Sequence, residues 1–426
     1  MTAATSMRWI PAALMAAACG GAGADAPWLG TIADSAGIQI VRNPATGMWA
    51  PDQVWSLVEE LRIGTAEGDP DYQFGNILPA GSIAIASDGR IVVLDAQGQH
   101  LKVFTPDGKY ERTIGGPGGG PGEIGQATTG AAVLIAPGDT VFVADGGNQR
   151  VSLYTMDGTF VRSFPLTFAE GFALRWESTA DGRILAQMRR VGFPGSTAPP
   201  DSMDAITVRK LDGSVGDTLM KVPSGKSFSF TGGAPEWHMF VPEPVWALWG
   251  DRFLYGVNNQ YRIGVHGADG RLERVLEKPF TLDPVTEADQ QTLLDGFRKI
   301  FKSQGVPPQF EPQLLARVHF ASDYPAFAQM LGGPDGSIMV QLVRPIATLS
   351  AEEQKGFDLL GGSLGSRQWD VFDREGRYLG VVEMPLNFQP VQFSGNKVYG
   401  IQRDELDVQY VVVLNVVKGG RAAGEG

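Results

Sequence analysis

Short apolar runs with alternating polar positions, each ended by a turn, recur along most of this chain. Residues 83–114 contain four such runs, with Asp88-Gly89 between the first two and Asp107-Gly108 between the last two. An Asp-Gly pair between apolar runs is a strong hairpin signal, because both central positions of the favoured two-residue turn have positive φ. The pattern therefore predicts a unit of four antiparallel strands.

The same pair of turns returns in later units and becomes incomplete in the last one. The following units have Gly138-Asp139 with Asp157-Gly158, Asp181-Gly182 with Asp212-Gly213, Gly250-Asp251 with Asp269-Gly270, and Asp335-Gly336 with Glu375-Gly376. A sixth unit has only a first turn, Gly395-Asn396, and residues 390–417 supply three strands. The chain thus contains five complete units and one that lacks its fourth strand.

An apolar run at residues 55–63, just before the first unit, has no partner in its own neighbourhood. If this run is the missing fourth strand, it joins the two ends of a ring of sheets. Repeated four-stranded units of this kind predict an all-β fold, a six-bladed β-propeller whose last blade is closed by residues 55–63. A β-sandwich or a pair of barrels is the alternative, but neither explains matched turn pairs in five units and a half-set in the sixth.

Composition removes several other classes of protein. The chain has 56 Gly, but 43% of its residues are hydrophobic and its glycines have no three-residue period, so it is neither disordered nor collagen-like. A net charge of -12 argues against a nucleic-acid partner, because that affinity comes largely from basic residues. One Cys excludes an internal disulfide, and four scattered His exclude a zinc finger.

The first residues carry an export signal. Arg8 precedes a short apolar run that ends in small residues before Cys19, which is typical of a signal peptide over 1–18 and resembles a bacterial lipobox. The alternative is ordinary cleavage after Ala18 or Ala24. We expect Cys19 to be lipidated, 19–30 to be a flexible tether, 31–418 to form one propeller domain and 419–426 to be a disordered tail. The protein would then lie in the bacterial cell envelope, lipid-anchored or periplasmic.

One repeat also resembles a known family. Residues 143–151, VADGGNQRV, followed by a Tyr-x-x-Asp-Gly turn, are similar to the NHL repeat. Residues 34–38, 115–118 and 121–124 resemble six-bladed propeller lipoproteins of bacteria. This resemblance implies the fold and an exported, often lipid-anchored location. It implies no defined activity, since such rings host both binding modules and enzymes.

Insertions are predicted on one face of the disc only. The long segments 189–205, 222–243, 279–325 and 344–367 all fall in second turns or inter-blade links, which share a face. Within the third of these, a stripe of apolar residues at helical period and a capping box at Thr286 and Asp289 predict a helix over about 286–304, which either caps the ring or binds a partner. Because loops on a rigid scaffold commonly carry function, this face is the predicted binding face.

Several side chains on that face are candidate ligands. Asp95 and Asp145 share a repeat position, and with Asn148 they offer oxygen ligands for Ca²⁺ or another divalent cation, although such an Asp also commonly accepts backbone hydrogen bonds. A basic ring at second-strand ends suits an anionic ligand, unless these are solvated rim residues; its members are Arg150, Arg189, Arg190, Arg344 and Arg403.

The aromatic insertion at 222–243 adds Trp237 and His238, as a ligand platform or as anchors of the loop. His238 and His319 are also candidate metal ligands if they meet, and otherwise separate hydrogen-bonded histidines. No His-Glu-x-x-His motif is present, and no catalytic residue is predicted.

These observations favour a monomeric binding module that engages a peptide, glycan or protein partner, with no cofactor and with membrane contact only through the lipid anchor. The alternative is a metal-dependent hydrolase or lyase, similar to lactonases, that acts at the mouth of the central channel.

Overall fold

The protein is a ring of six blades, each built on four antiparallel strands, and two further strands extend the sheet of one blade; this confirms the predicted six-bladed propeller. The structure is a computed structural model that describes residues 27–78, 80–126, 130–166, 171–179, 181–190, 202–231, 234–355 and 365–419. The predicted signal peptide, Cys19 and nearly all of the predicted tail lie outside these residues.

Three strands precede the first blade: β1 (Thr31–Ser35), β2 (Ile38–Arg42) and β3 (Ser56–Ile63). Blade 1 consists of β4 (Ile83–Ile85), β5 (Ile91–Asp95), β6 (His100–Phe104) and β7 (Tyr110–Ile114). Blade 2 consists of β8 (Ala132–Ala136), β9 (Thr140–Asp145), β10 (Arg150–Tyr154) and β11 (Phe160–Pro165). Blade 3 consists of β12 (Phe172–Ser178), β13 (Ile184–Arg189), β14 (Met203–Arg209) and β15 (Val215–Pro223).

The second half of the ring is interrupted by insertions. After β15 come β16 (Phe228–Thr231) and β17 (Ala234–Met239), and then blade 4, with β18 (Pro244–Trp249), β19 (Arg252–Val257), β20 (Arg262–His266) and β21 (Leu272–Glu277). The next insertion contains α1 (Glu287–Ser303), α2 (Glu311–Leu315) and β22 (Val318–Phe320). Blade 5 has β23 (Phe327–Gly332), β24 (Ile338–Leu342), a short helix α3 (Ala351–Lys355), β25 (Gln368–Phe372) and β26 (Tyr378–Glu383). Blade 6 has β27 (Phe388–Ser394), β28 (Lys397–Arg403) and β29 (Gln409–Val417).

Closure of the ring follows the prediction. Strand β3 pairs antiparallel with β29 as the fourth strand of blade 6, from Val411↔Ile63 to Val417↔Ser56. An apolar cluster that includes Ile63 and Val411 also joins this blade to Phe104 of blade 1. Comparable clusters fill the other gaps between neighbouring blades, so the core is divided into layers between the sheets.

The hairpin turns occur where the Asp-Gly pairs predicted them. Both central positions have positive φ at Asp335-Gly336, as expected, but not at Asp88-Gly89. At Asp88-Gly89 only the glycine has positive φ, at +87°. The backbone N–H of Gly89 donates to Ala86 O at 2.9 Å, and the N–H of Ala86 donates to Arg90 O at 2.9 Å. A turn closed in this way needs one left-handed residue rather than two, as in a type I turn with a glycine bulge. The expectation of positive φ at both central positions is therefore wrong at this turn.

An N-terminal hairpin extends blade 4 and was not predicted. Strand β2 pairs parallel with the outer strand β21, from Gln39↔Arg274 to Arg42↔Glu277, and β1 forms the new edge. Trp28, which lies in the segment expected to be a tether, packs against the core between blades 4 and 5 and donates its indole N–H to Asn43 Oδ1 at 3.1 Å. The ordered chain therefore contacts the propeller before β1 begins.

The predicted helix near 286–304 is present as α1. Thr286 caps its N-terminus: the hydroxyl accepts from the Asp289 N–H at 3.2 Å, and the Asp289 carboxylate accepts from the Thr286 N–H at 3.0 Å, which is a capping box. Gly305 follows the helix with φ of +72°, a left-handed conformation that suits a glycine after a helix C-terminus. In the ranges that the structure describes, no helix combines the length and apolar character needed to cross a bilayer.

Candidate functional site

Two insertions of the predicted binding face, 222–243 and 279–325, fold together into one small subdomain. Strand β17 of the first insertion pairs parallel with β22 of the second, and β16 pairs antiparallel with β17. The chain leaves β17 for β18 and leaves β22 for β23, which are the first strands of blades 4 and 5 and line the central channel. We call β16, β17, β22, α1 and α2 the cap.

One face of the cap sheet is apolar and holds the cap to the propeller. Trp237 lies 5.6 Å from Phe297 and 5.9 Å from Phe301 between ring centroids, and these two residues of α1 are buried. Val343 and Ile346, which follow β24 in blade 5, belong to the same apolar cluster. The helix thus covers the side of the cap sheet that lies over blade 5, so it serves to cap the ring.

Residues of a strand alternate between the two faces of a sheet, so the residues between those apolar ones lie on the opposite face of the cap sheet. The side chains on this face are polar. His238 Nε2 lies 3.2 Å from Ser229 Oγ and 3.7 Å from Glu236 Oε2. Glu236 also pairs with Arg317, whose nitrogen lies 3.6 Å from Oε1. The rings of His238 and His319 are stacked at 5.0 Å between centroids and 25° between planes. We call this set of five side chains the polar cap face.

A buried carboxylate lies below the cap, at the upper end of blade 3. Arg189 donates to Asp204 through Nε at 2.9 Å and through a terminal nitrogen at 2.8 Å, and Asp204 is fully buried. Ser224 Oγ donates to the same carboxylate at 2.7 Å, as does Gln187 Nε2. Trp246 Nε1 completes this network by donating to Gln187 Oε1 at 2.6 Å. A fully buried carboxylate needs such donors, since an unpaired charge there would be very costly.

Glu243 lies directly before β18, the first strand of blade 4. Its carboxylate accepts from the backbone N–H groups of Lys226 at 2.6 Å and Ser227 at 2.5 Å. Burial nevertheless raises the pKa of the Glu243 carboxyl, and the Coulombic attraction of Arg189 opposes this rise only in part. Asn258 accepts from the Glu243 N–H at 2.7 Å and donates to Phe327 O at 2.9 Å, so it ties blade 4 to blade 5 here.

The two aspartates predicted as candidate ligands are buried and already accept hydrogen bonds from the chain. Asp95 accepts from the backbone N–H groups of Gly75 at 2.8 Å and Asn76 at 3.0 Å, both in the link that precedes blade 1. Asp145 accepts from the Gly125 N–H at 3.2 Å and from the Asn148 N–H at 3.1 Å. Each of these two aspartates therefore holds an inter-blade link in place. At both positions the carboxylate has the second of its two predicted roles, that of an acceptor for backbone hydrogen bonds.

Asn148 and Arg150 hold the glycine-rich link between blades 1 and 2. Asn148 Nδ2 donates to Gly118 O at 2.8 Å, and the Arg150 guanidinium donates to Gly119 O at 3.1 Å. The same guanidinium donates to Gly120 O and Glu123 O, at 2.8 and 2.7 Å. The Asn-x-Arg signature thus fixes the link of its own blade.

The predicted basic ring is largely paired within the protein. Arg189 is bound to Asp204, and Arg403 donates to Asp407 Oδ1 at 2.8 Å on the surface. Arg190 and Arg344 are exposed and follow β13 and β24. Trp237 and His238, predicted together, lie on opposite faces of the cap sheet, so Trp237 is an anchor and only His238 faces outward.

Sequence reasoning missed Glu236, Arg317 and Glu243. Glu236 and Arg317 each stand two residues before a histidine that was noticed, which is the spacing of one strand face. That spacing was the available signal, but it required knowing that both insertions contain strands. Among the residues that the structure describes, no three His, Cys, Asp or Glu side chains are grouped as metal ligands.

Comparison with known proteins supports this fold. The model of the DUF5128 family, described as a 6-bladed beta-propeller, matches residues 79–168, which span blades 1 and 2. No curated protein matches the chain in sequence.

Solved structures resemble most of the chain at low identity. A protein of Bacteroides fragilis NCTC 9343, described as a candidate exported protein, has 12% identity and a TM-score of 0.51, over 89% of this chain and 100% of its own. A DUF4221 member from Bacteroides vulgatus has 11% identity and a TM-score of 0.46, over 86% and 99%. Virginiamycin B lyase from Staphylococcus aureus has 10% identity and a TM-score of 0.38, over 85% and 100%. At such identities the similarity to the Bacteroides fragilis protein shows the fold alone.

Proposed function

We propose that the protein is an exported, lipid-anchored binding module that engages a peptide, glycan or protein partner through the cap-bearing face of its propeller. The observation that carries this proposal is the cap itself: two separate insertions fold together on one face and present polar side chains outward. On the other face, the described turns of the blades, such as Asp88-Gly89 and Asp157-Gly158, are tight hairpin turns. A face that is built up on a rigid ring is the typical place for recognition.

The position of the polar cap face supports this proposal. Strands β17 and β22 stand next to each other above β18 and β23, so the cap sheet follows the rim of the channel. Because α1 occupies the side over blade 5, we infer that the polar cap face borders the channel mouth. Imidazole, guanidinium, carboxylate and hydroxyl groups lie together there, and such mixed donors and acceptors suit a polar ligand.

Binding arrays test this function. Peptide, glycan and protein arrays would be probed in EDTA with the wild type, with a variant in which short Gly-Ser links replace 225–242 and 280–325, and with Asp107→Lys/Asp157→Lys on the opposite face. We expect array signals that the double lysine variant retains and the capless variant loses, while thermal melting shows both to be folded. No signal on any array, or signals that survive removal of the cap, would overturn the proposal.

Lipid anchoring through Cys19 is the second part of this proposal. Its support is the placement of the single Cys after small residues at the end of a short apolar run. Expression in a bacterial host with labelled palmitate should give a labelled, membrane-associated protein, and Cys19→Ser should be unlabelled. Label in the serine variant, or none in the wild type, would contradict the assignment.

A second candidate function is hydrolysis or elimination at the channel mouth, favoured by Glu243. A carboxyl with a raised pKa beside an arginine is a candidate acid or base. A panel of lactones offered to the wild type and to Glu243→Gln tests this function. Turnover by the wild type alone supports it, and equal rates or no turnover reject it.

A further inference from the structure

Two histidines from separate insertions meet on the polar cap face. His238 in β17 and His319 in β22 occupy paired positions of the parallel ladder, so their side chains leave the sheet on the same side. Their ring centroids are 5.0 Å apart. His319 is exposed, and the His238 side chain is 28% exposed, so both can be reached from solvent.

A carboxylate stands beside this pair. Glu236 lies two residues before His238 on the same strand face, and its Oε2 is 3.7 Å from His238 Nε2. Two imidazoles and one carboxylate are the kind of three-ligand set that holds a catalytic or exchangeable zinc ion, with water in the fourth position. Calcium and magnesium are less suited, because they prefer ligand sets made of oxygen atoms.

As they are placed in the structure, these three side chains are not gathered into a metal-ligand group. We propose that His238, His319 and Glu236 close around a borderline divalent cation such as Zn²⁺, Ni²⁺ or Cu²⁺ when it binds. Two nitrogen ligands of one tetrahedral zinc ion lie about 3.4 Å apart, given Zn–N bonds of about 2.0–2.1 Å. Side chains on paired positions of adjacent strands reach that separation by rotating about χ1 and χ2. The exposed His319 ring has room to turn, whereas the half-buried His238 is held by Ser229 and Glu236.

The positive charge of Arg317 lowers the affinity of this site for a cation. Its guanidinium lies 3.6 Å from Glu236 Oε1, so a cation that binds Glu236 competes with a fixed positive charge. Like charges at such a distance oppose each other, and the opposition is stronger where water is partly excluded. The site therefore binds its ion with moderate affinity in the wild type, and Arg317→Gln binds it more tightly.

The ion would connect two insertions that are far apart in sequence. The ladder between β17 and β22 has only three residue pairs. An ion bound by both strands adds a second connection, and it stabilises the cap because it binds the folded arrangement alone. This inference goes beyond the proposed function, whose arrays are run without free metal.

Titration calorimetry with ZnCl₂ on the tag-free full chain at pH 7.5 tests this site. We expect one ion per chain, and affinity at least about tenfold weaker in His238→Ala and in His319→Ala. His100→Ala and His266→Ala are the controls, because neither histidine belongs to the cap. The His100 ring is bound to a hairpin carbonyl of blade 1, and the His266 ring is bound to a hairpin carbonyl of blade 4. Their affinity should equal that of the wild type.

Three results would overturn the proposal. The first is the absence of saturable binding by the wild type, and the second is unchanged affinity in His319→Ala, an exposed position where loss of folding is not expected. The third concerns the carboxylate: Glu236→Gln should weaken binding and Arg317→Gln should strengthen it. If neither changes the affinity, Glu236 is not a ligand and the assigned site is wrong.

Discussion

Blades 1 and 2 differ from blades 3 and 4 in how the end of the second strand is bound to the neighbouring chain. In the first pair, an aspartate ends the second strand and its carboxylate accepts backbone N–H groups from the preceding link. In blade 3 the end of the second strand is Arg189, which is bound to the buried Asp204, and after the second strand of blade 4 Asn258 joins neighbouring blades. Blades 1 and 2 therefore share one residue type, aspartate, at the end of the second strand. Blades 3 and 4, which are next to the insertions, have different residues there, and each of these residues has its own kind of partner.

This difference separates the part of the ring that maintains the fold from the part that carries the cap. A repeated aspartate works wherever a short link passes it, because backbone N–H groups are present in any sequence. Once a link becomes a folded insertion, its backbone is satisfied within the insertion, and the strand end is free to take another partner. The loss of the Asn-x-Arg signature after blade 2 therefore accompanies the gain of a candidate site.

The largest effect that we expect comes from removing Arg189. Arg189→Ala leaves the fully buried Asp204 without its bidentate cation, and breaking a buried pair in this way costs about 3 kcal/mol or more of unfolding free energy. Arg403→Ala is the matched control, since Arg403 also ends a second strand but its pair with Asp407 is exposed and contributes about 1 kcal/mol or less. Urea unfolding at pH 7 measures both. Equal losses would show that burial does not distinguish the two positions.

A smaller effect is expected at the repeated aspartate. Asp145→Ala leaves the N–H of Gly125 and the side chains of Asn148 and Arg150 without a shared acceptor, which should cost about 2 kcal/mol. Hydrogen exchange should increase in the link 116–126 and remain unchanged in the cap. Ser163→Ala, at an exposed position of β11 in the same blade, is the control. If exchange increases in the cap as well, the contacts of Asp145 stabilise more than the link of blade 2, and the proposed division between the two parts of the ring is wrong.

The smallest effect concerns pH and Glu243. Because its pKa in the folded protein is raised by burial, the neutral carboxyl is favoured by folding. The resulting stability is fully present below the ordinary pKa of a glutamate and is lost as the pH rises through the raised value. Glu243→Gln keeps an acceptor for the two backbone N–H groups and removes this titration. The stability of the wild type relative to this variant should increase as the pH falls from 7 to 5, measured by thermal melting; an unchanged difference would contradict the raised pKa.

Local signals in the sequence predicted most of the fold. The Asp-Gly and Gly-Asp pairs marked the tight turns, the half-set in the sixth unit predicted closure by β3, and Thr286 with Asp289 predicted the start of α1. The pairing of the N-terminal hairpin with blade 4 was missed because the partner strand β21 lies far along the chain. The hairpin itself has a local signal, the two-residue turn Ala36-Gly37 between β1 and β2. The sheet of the cap was missed for the same reason: a three-residue parallel ladder between two insertions leaves no pattern in either of them.

The amino-acid sequence by itself determined which residues turn, which alternate and which strand is missing, because these depend on each residue and its near neighbours. It also placed Asp95, Asp145 and the histidines at definite positions in their strands or insertions. Only the tertiary structure decided their partners: which aspartates are occupied by backbone N–H groups, and that His238 and His319 meet. Those contacts join segments far apart in the chain, so they exist only once the ring has closed and the two insertions have packed on one face.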